Sequence, residues 1–166
     1  MEIKYFPNEG IEINGSNFKW GSHREIIREL LGQEHKSADS VIDVSEYFEG
    51  DTKHNIEQRR DVYENYKQSE SYFFLNYDNM DTLKEVEIHK GNKIIIEHIT
   101  IDFSMKLSEV INRLKLISDQ YVKLKSGYYF FKNIKVTITD AKTLGGKGSI
   151  LSYFYCAAST KHLENE

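Results

Sequence analysis

Only two stretches of this 166-residue chain carry helical periodicity, and most of what surrounds them reads as strand. The first runs from His23 to Leu31. Ser22 stands three residues before Glu25, the spacing of a capping box, and Gly32 follows Leu31 where a left-handed residue closes a helix. In the second, Leu107, Val110, Ile111, Leu114 and Ile117 fall on one stripe, which needs an apolar surface to cover it. Each helix follows a short apolar strand, Ile11-Glu12-Ile13 in one case and Ile94-Ile95-Ile96 in the other. Aligning Glu25 with Glu109 matches Ile26 to Val110, Ile27 to Ile111, Leu30 to Leu114 and Ile11 to Ile95. That offset of 84 positions predicts two related halves, 1–90 and 91–166, within one compact domain spanning 1–166.

The remaining apolar residues lie in short runs rich in β-branched and aromatic side chains: 41–48, 62–67, 72–77, 83–89, 93–103, 120–124, 128–131, 134–139 and 149–157. Gly91-Asn92 and Gly145-Gly146-Lys147-Gly148 punctuate these runs as hairpin loops. Residues 32–60 are the most polar stretch, which predicts a long loop or an edge hairpin. Runs of strands after each helix indicate an α+β fold, an antiparallel sheet covered by short helices, in two related β-α-β(n) halves. A composition 39% hydrophobic and 13% aromatic supplies the core for it.

Recognisable catalytic and cofactor chemistry is missing. The glycine-rich segment 145–149 fails as a phosphate loop, because Ala141 stands at its leading glycine position and Gly148 where the serine or threonine belongs. Asn76, Asp78 and Glu87 have the spacing of a calcium loop. Met80 and Asp81 then occupy its fifth and sixth positions, so a polar hairpin end is expected instead. None of the six histidines, 23, 35, 54, 89, 98 and 162, stands four residues from another, and no metal ligation is expected. Cys156 follows Tyr153-Phe154-Tyr155 and reads as a small buried hydrophobe. No catalytic residue, cofactor or metal is therefore assigned, and a binding protein is expected before an enzyme. A small-ligand or regulatory domain, and an enzyme with an uncatalogued site, are the alternatives.

Two features point towards a protein partner. Eleven tyrosines supply large rings with polar tips, which interfaces favour. Carboxylates crowd the same region, and a formal charge of −4 suits a basic protein better than a phosphate backbone. Asp43, Glu46, Tyr47, Glu49, Asp51, Asp61, Tyr63, Glu64, Tyr66, Tyr72 and Tyr77 are the candidate partner-binding residues. Direct nucleic-acid contact and membrane association are not expected. A lone cysteine, and the lack of a leader-like or long apolar segment, point to the cytoplasm.

The segment Trp20-Gly21-Ser22-His23-Arg24-Glu25-Ile26-Ile27-Arg28-Glu29-Leu30-Leu31-Gly32, set after a short strand and before further strands, resembles the small tandem helix-on-sheet proteins among bacterial toxin immunity proteins and β-lactamase-inhibitor-like folds. The resemblance implies a cytoplasmic immunity protein for a polymorphic or contact-dependent growth inhibition toxin, possessing no catalytic motif, that occludes the active site of a toxin domain with a basic surface, such as a nuclease.

Overall fold

The computed structural model describes residues 1–163 and places fourteen strands and two α-helices there. Strands β1 (Glu2–Phe6), β2 (Gly10–Ile13) and β3 (Ser16–Lys19) lead into α1 (Arg24–Leu31). Next come β4 (Lys36–Ser37), β5 (Ser40–Ile42), β6 (Ile56–Glu64), β7 (Tyr72–Tyr77) and β8 (Leu83–Lys90). The chain continues through β9 (Lys93–Ile96), β10 (Ile99–Asp102) and α2 (Leu107–Leu114) to β11 (Tyr121–Lys123), β12 (Tyr129–Phe131), β13 (Val136–Asp140) and β14 (Leu151–Ala157). The α+β expectation holds.

Two sheets form. The smaller has the order β10-β9-β1-β2-β3, and the larger runs β11-β12-β13-β14-β8-β7-β6-β4, with β5 paired to β6. All pairings are antiparallel except β1 with β9, so the smaller sheet is mixed rather than purely antiparallel. Buried side chains of both sheets and both helices, among them Ile13, Ile27, Phe73, Ile94, Leu114 and Phe154, join one core. The Tyr5 hydroxyl ties the sheets together by donating to the carbonyl of Ile134 at 2.7 Å. Cys156 is fully buried in that core, and burial pushes its thiol up.

The two halves are interwoven. β1 pairs with β9, and β8 pairs with β14, so a division at residue 90 cuts both sheets. The internal recurrence is nevertheless visible as strand, turn, strand, helix. Its bounds, Gly10–Ile13, Ser16–Lys19 and Arg24–Leu31 against Lys93–Ile96, Ile99–Asp102 and Leu107–Leu114, differ by 83 positions throughout. The offset of 84 was one residue too long. At 83, the buried residues Arg24, Ile27 and Leu31 fall on the buried residues Leu107, Val110 and Leu114.

That correction turns α1 by about 100° about its axis. Ile26 and Leu30, expected in the stripe, are 55% and 52% exposed, whereas Ile27 and Leu31 are fully buried. Ile27→Val is accordingly expected to cost about 0.5–1.5 kcal/mol, with Ile26→Val near zero. Urea titrations of both variants check this, and equal costs would restore the longer offset.

Other local expectations also shift. His23, in extended backbone, takes the N-cap position of α1 with no side-chain bond, and Ser22 Oγ instead accepts from the Lys19 amide at 3.1 Å. Gly32 does close α1 in the left-handed region, at φ 81°. The run 93–103 is a hairpin, β9 and β10, rather than one strand. Gly91-Asn92 crosses between the two sheets, so His89, on β8 of the larger sheet, is not paired with the β9–β10 turn that holds His98. A Cβ on Gly91 would collide with the Glu70 carbonyl, and its φ of +70° also requires glycine. The segment 145–148 does close a hairpin, between β13 and β14.

Candidate functional site

The structure gives the polar stretch 32–60 a definite form. Residues 59–64 of β6 pair with β7, but its first three residues, Ile56, Glu57 and Gln58, pair only with β5. A two-stranded ribbon therefore extends past the main sheet. Its tip is built from two 3-10 turns, Ser45–Phe48 and Thr52–His54, where a strand over 41–48 was expected. Asp43 accepts from the Ser45 amide and Asp51 from the Lys53 amide, both at 2.9 Å, so two of the carboxylates cap turns. Asn55 Oδ1 accepts from the Val44 amide across the tip, and Phe48 stacks on His54 at 4.1 Å.

No residue of this arm belongs to the core. Val41, Ile42, Tyr47, Phe48 and Ile56 all lie exposed on it, Tyr47 at 81%. Between residues 43 and 57 stand five carboxylates against one lysine, a formal charge equal to that of the whole chain. An ordered projection that combines unburied apolar side chains with a concentrated negative charge has no internal reason to exist, since folding gains nothing from leaving such groups in water.

The root of the arm is clamped to α1 by a buried ion network. The Arg24 guanidinium, 5% exposed, donates both Nη atoms to Asp39, at 2.9 and 2.8 Å, and Nη2 to Asp61 at 2.6 Å. Arg28 donates Nε and Nη2 to the two oxygens of Asp61 and also reaches Ser37 Oγ. Asp39 further accepts from the Arg60 amide at 2.9 Å. Burial pushes the Asp61 carboxyl up, but the hydrogen bonds and charges of Arg28 and Arg24 outweigh it and hold Asp61 below the usual carboxylate range. Asp39, bonded by Arg24, is held low as well.

The expected partner-binding residues separate accordingly. Asp43, Glu46, Tyr47, Glu49 and Asp51 share the exposed arm. Asp61 is fully buried in the clamp. Tyr63, Tyr66 and Tyr77 are core residues: Tyr63 stacks on Phe73 at 4.8 Å, Tyr66 donates to the Leu31 carbonyl, and Tyr77 lies beneath Arg24. These four cannot touch a partner while the fold is intact: alternation along β6 and β7 turns Asp61, Tyr63 and Tyr77 inwards, and the 3-10 turn after β6 places Tyr66 against α1. Glu64 is exposed and pairs with Lys36 at 3.6 Å, and half-buried Tyr72 packs edge-on against Phe74. Of the arm's exposed apolar residues only Tyr47 was expected in the interface; Val41, Ile42, Phe48 and Ile56 were not, although their occurrence within the most polar stretch was a usable signal.

A second concentration lies on the face of the larger sheet turned away from the core. Glu87 accepts from Arg60 Nη2 and Asn76 Nδ2, both at 2.7 Å, and from the Tyr153 hydroxyl at 3.3 Å. Asn76 and Glu87, two positions of the rejected calcium loop, are thus partners in an ion-paired cluster, and Asp78 caps the β7–β8 turn through Thr82. Beside them, the tyrosines of β14 and the segment before β12 border a cavity of about 270 Å³. The rings of Tyr128 and Tyr153 meet edge to face at 5.6 Å, as do those of Tyr155 and His162 at 6.4 Å.

No family model, curated protein or solved structure matches this chain. Among the described residues, no three His, Cys, Asp or Glu side chains group so as to hold a metal, and no helix is long and apolar enough to cross a membrane.

Proposed function

We propose that the chain binds a basic protein through the arm spanning residues 40–58, and that it acts as an immunity protein, occluding the active-site cleft of a cognate toxin domain. The observation that carries this reading is the arm itself, where Tyr47, Phe48, Val41, Ile42 and Ile56 are exposed among Asp43, Glu46, Glu49, Asp51 and Glu57. Exposed aromatics offer the anchors that interface energetics concentrate on, and the carboxylates around them steer a positively charged cleft towards contact. A projecting, narrow ribbon is also the shape that enters a groove. A nuclease groove, lined to hold phosphates, has the complementary sign.

The clamp supports the reading by preorganisation. Arg24, Asp39 and Asp61 fix the ribbon's root before any partner arrives, which lowers the ordering cost of association. Co-expression with the product of the adjacent upstream gene, followed by pull-down, tests the proposal. A stable complex that suppresses that product's toxicity is expected. A neighbouring product that neither binds nor harms the cell would remove the reading.

A further inference from the structure

The outer-face cavity has a chemistry of its own. Its border contains hydroxyls from Ser126, Tyr128, Thr137, Tyr153 and Tyr155 and the imidazole of His162, and no lysine, arginine or carboxylate. Thr137 and Tyr155 are 4% and 7% exposed, and neither hydroxyl has a hydrogen-bond partner in the protein. Two residues along β13, Thr139 is fully buried and its hydroxyl is likewise unpartnered. Leaving a buried hydroxyl unpaired costs about 1–3 kcal/mol, so the two that border the cavity, on Thr137 and Tyr155, are a standing demand for an occupant with donors and acceptors.

The electrostatics narrow the occupant. With no cation in the border and the Glu87 carboxylate bonded behind Tyr153, the part that enters must be uncharged. The tyrosine rings call for a flat ligand that stacks. Positive charge lies instead on residues adjacent to the border in sequence. The segments supplying Ser126 and His162 also carry Lys125 and Lys161, both exposed and outside every ion pair among the described residues. Residues 115–161 contain eight lysines against two aspartates, so the C-terminal third is basic although the chain as a whole is acidic. A neutral, hydrogen-bonding ring joined to an anion fits both zones.

We propose that this cavity is a nucleotide site, in which the base stacks among Tyr128, Tyr153 and Tyr155, hydrogen-bonds to the hydroxyls of Thr137 and Tyr155, and leaves its phosphate at Lys125 and Lys161. A free mononucleotide and a single residue of a nucleic-acid strand present the same chemistry. The site is independent of the arm and of the partner proposed for it.

Titration calorimetry and amide-shift mapping on the whole chain test the assignment, using adenosine and cytidine monophosphates, the two nucleosides, inorganic phosphate and a single-stranded ten-nucleotide DNA. Saturable binding of a monophosphate is expected, with its nucleoside about tenfold weaker and phosphate alone silent. If the decamer binds more than about tenfold tighter than any monophosphate, the site is still a nucleotide site, and the strand is its source. Thr137→Val and Tyr155→Phe are each expected to weaken binding roughly five- to tenfold, one hydrogen bond's worth. Neither should lower the melting temperature, because each deletes a hydroxyl that the free protein leaves unpaired. No saturation by any nucleotide, or binding that both variants leave unchanged, would overturn the proposal.

Discussion

Arg24→Ala is expected to destabilise the chain by about 3–5 kcal/mol, the largest effect of any surface-adjacent substitution in the arm or its clamp. The argument rests on what remains behind. Asp61 is fully buried and would keep only Arg28, and Asp39 would lose both of its guanidinium contacts. Arg24 also lies 5.0 Å over the Tyr77 ring, and that contact disappears with it. Arg24→Lys should fall between the two, because an ammonium cannot fork between Asp39 and Asp61. Urea unfolding followed by Trp20 fluorescence and circular dichroism measures the cost. A loss below about 1 kcal/mol would show that the network contributes little beyond packing. Limited proteolysis adds a local readout, since freeing the root should expose 43–55 to cleavage before the rest of the chain.

The same clamp sets a pH dependence with a definite sign. Asp61 and Asp39 titrate below their ordinary range when folded and near 3.9 when unfolded. Their contribution is therefore complete above the unfolded value and is lost as pH falls through the depressed folded values. Wild type should hold its stability from neutral pH to about pH 5 and then lose it steeply below about pH 4. Because Arg24→Ala has already lost part of this linkage, the gap between variant and wild type should narrow as the acid limb is descended.

This clamp also explains where sequence reading stopped. The amphipathic stripe of α2 was legible because Leu107, Val110 and Leu114 are apolar, and hydropathy sees them. In α1 the equivalent inward positions begin with Arg24, and Arg28 follows one turn later. A periodicity search passes over charged residues and slides to Ile26 and Leu30, one position out of register. Only the location of Asp61 on β6, remote in sequence, makes a buried arginine reasonable. The β9–β10 turn was hidden for a related reason. Glu97 adopts φ 53° with none of the glycine or asparagine signals that mark such turns, so an isoleucine-rich run looked continuous. Gly91 misled in the opposite direction, since its conformational freedom serves a crossing between sheets.

The candidate site was legible in part by composition. Carboxylates of the tip are solvated wherever the chain goes, so Asp43 to Asp51 were placed on the surface from charge alone. Tyrosines carry no such guarantee. Tyr47 and Tyr66 both lie on 3-10 turns, one exposed at the tip and the other buried against α1, whereas Tyr63 and Tyr77 are turned into the core by strand alternation, which tells once the register is known. Tyr153 and Tyr155 are visible in the sequence only as neighbours of Cys156, and the unpartnered threonines that stand beside them emerge only when β13 pairs with β14.

Truncating the aromatic tip is expected to abolish partner binding while sparing the fold. Tyr47→Ala and Phe48→Ala should each cost about 2 kcal/mol or more of binding, roughly a thirtyfold loss, if they anchor the interface. Neither belongs to the core, so stability should stay within about 0.5 kcal/mol of wild type. Charge reversal must avoid Asp43 and Asp51, whose carboxylates hold the turns, and is cleaner at Glu46 and Glu49, which have no side-chain bond among the described residues. Glu46→Lys with Glu49→Lys should slow association, by about tenfold at low salt, and flatten its salt dependence with less effect on dissociation. Surface plasmon resonance against the partner, run across ionic strengths, separates these effects. Tyr155→Phe and Thr137→Val serve as controls, because they alter the opposite end of the larger sheet and should leave partner kinetics unchanged. If the tip variants bind like wild type while the cavity variants do not, the interface lies on the tyrosine face of the larger sheet and the arm has another role.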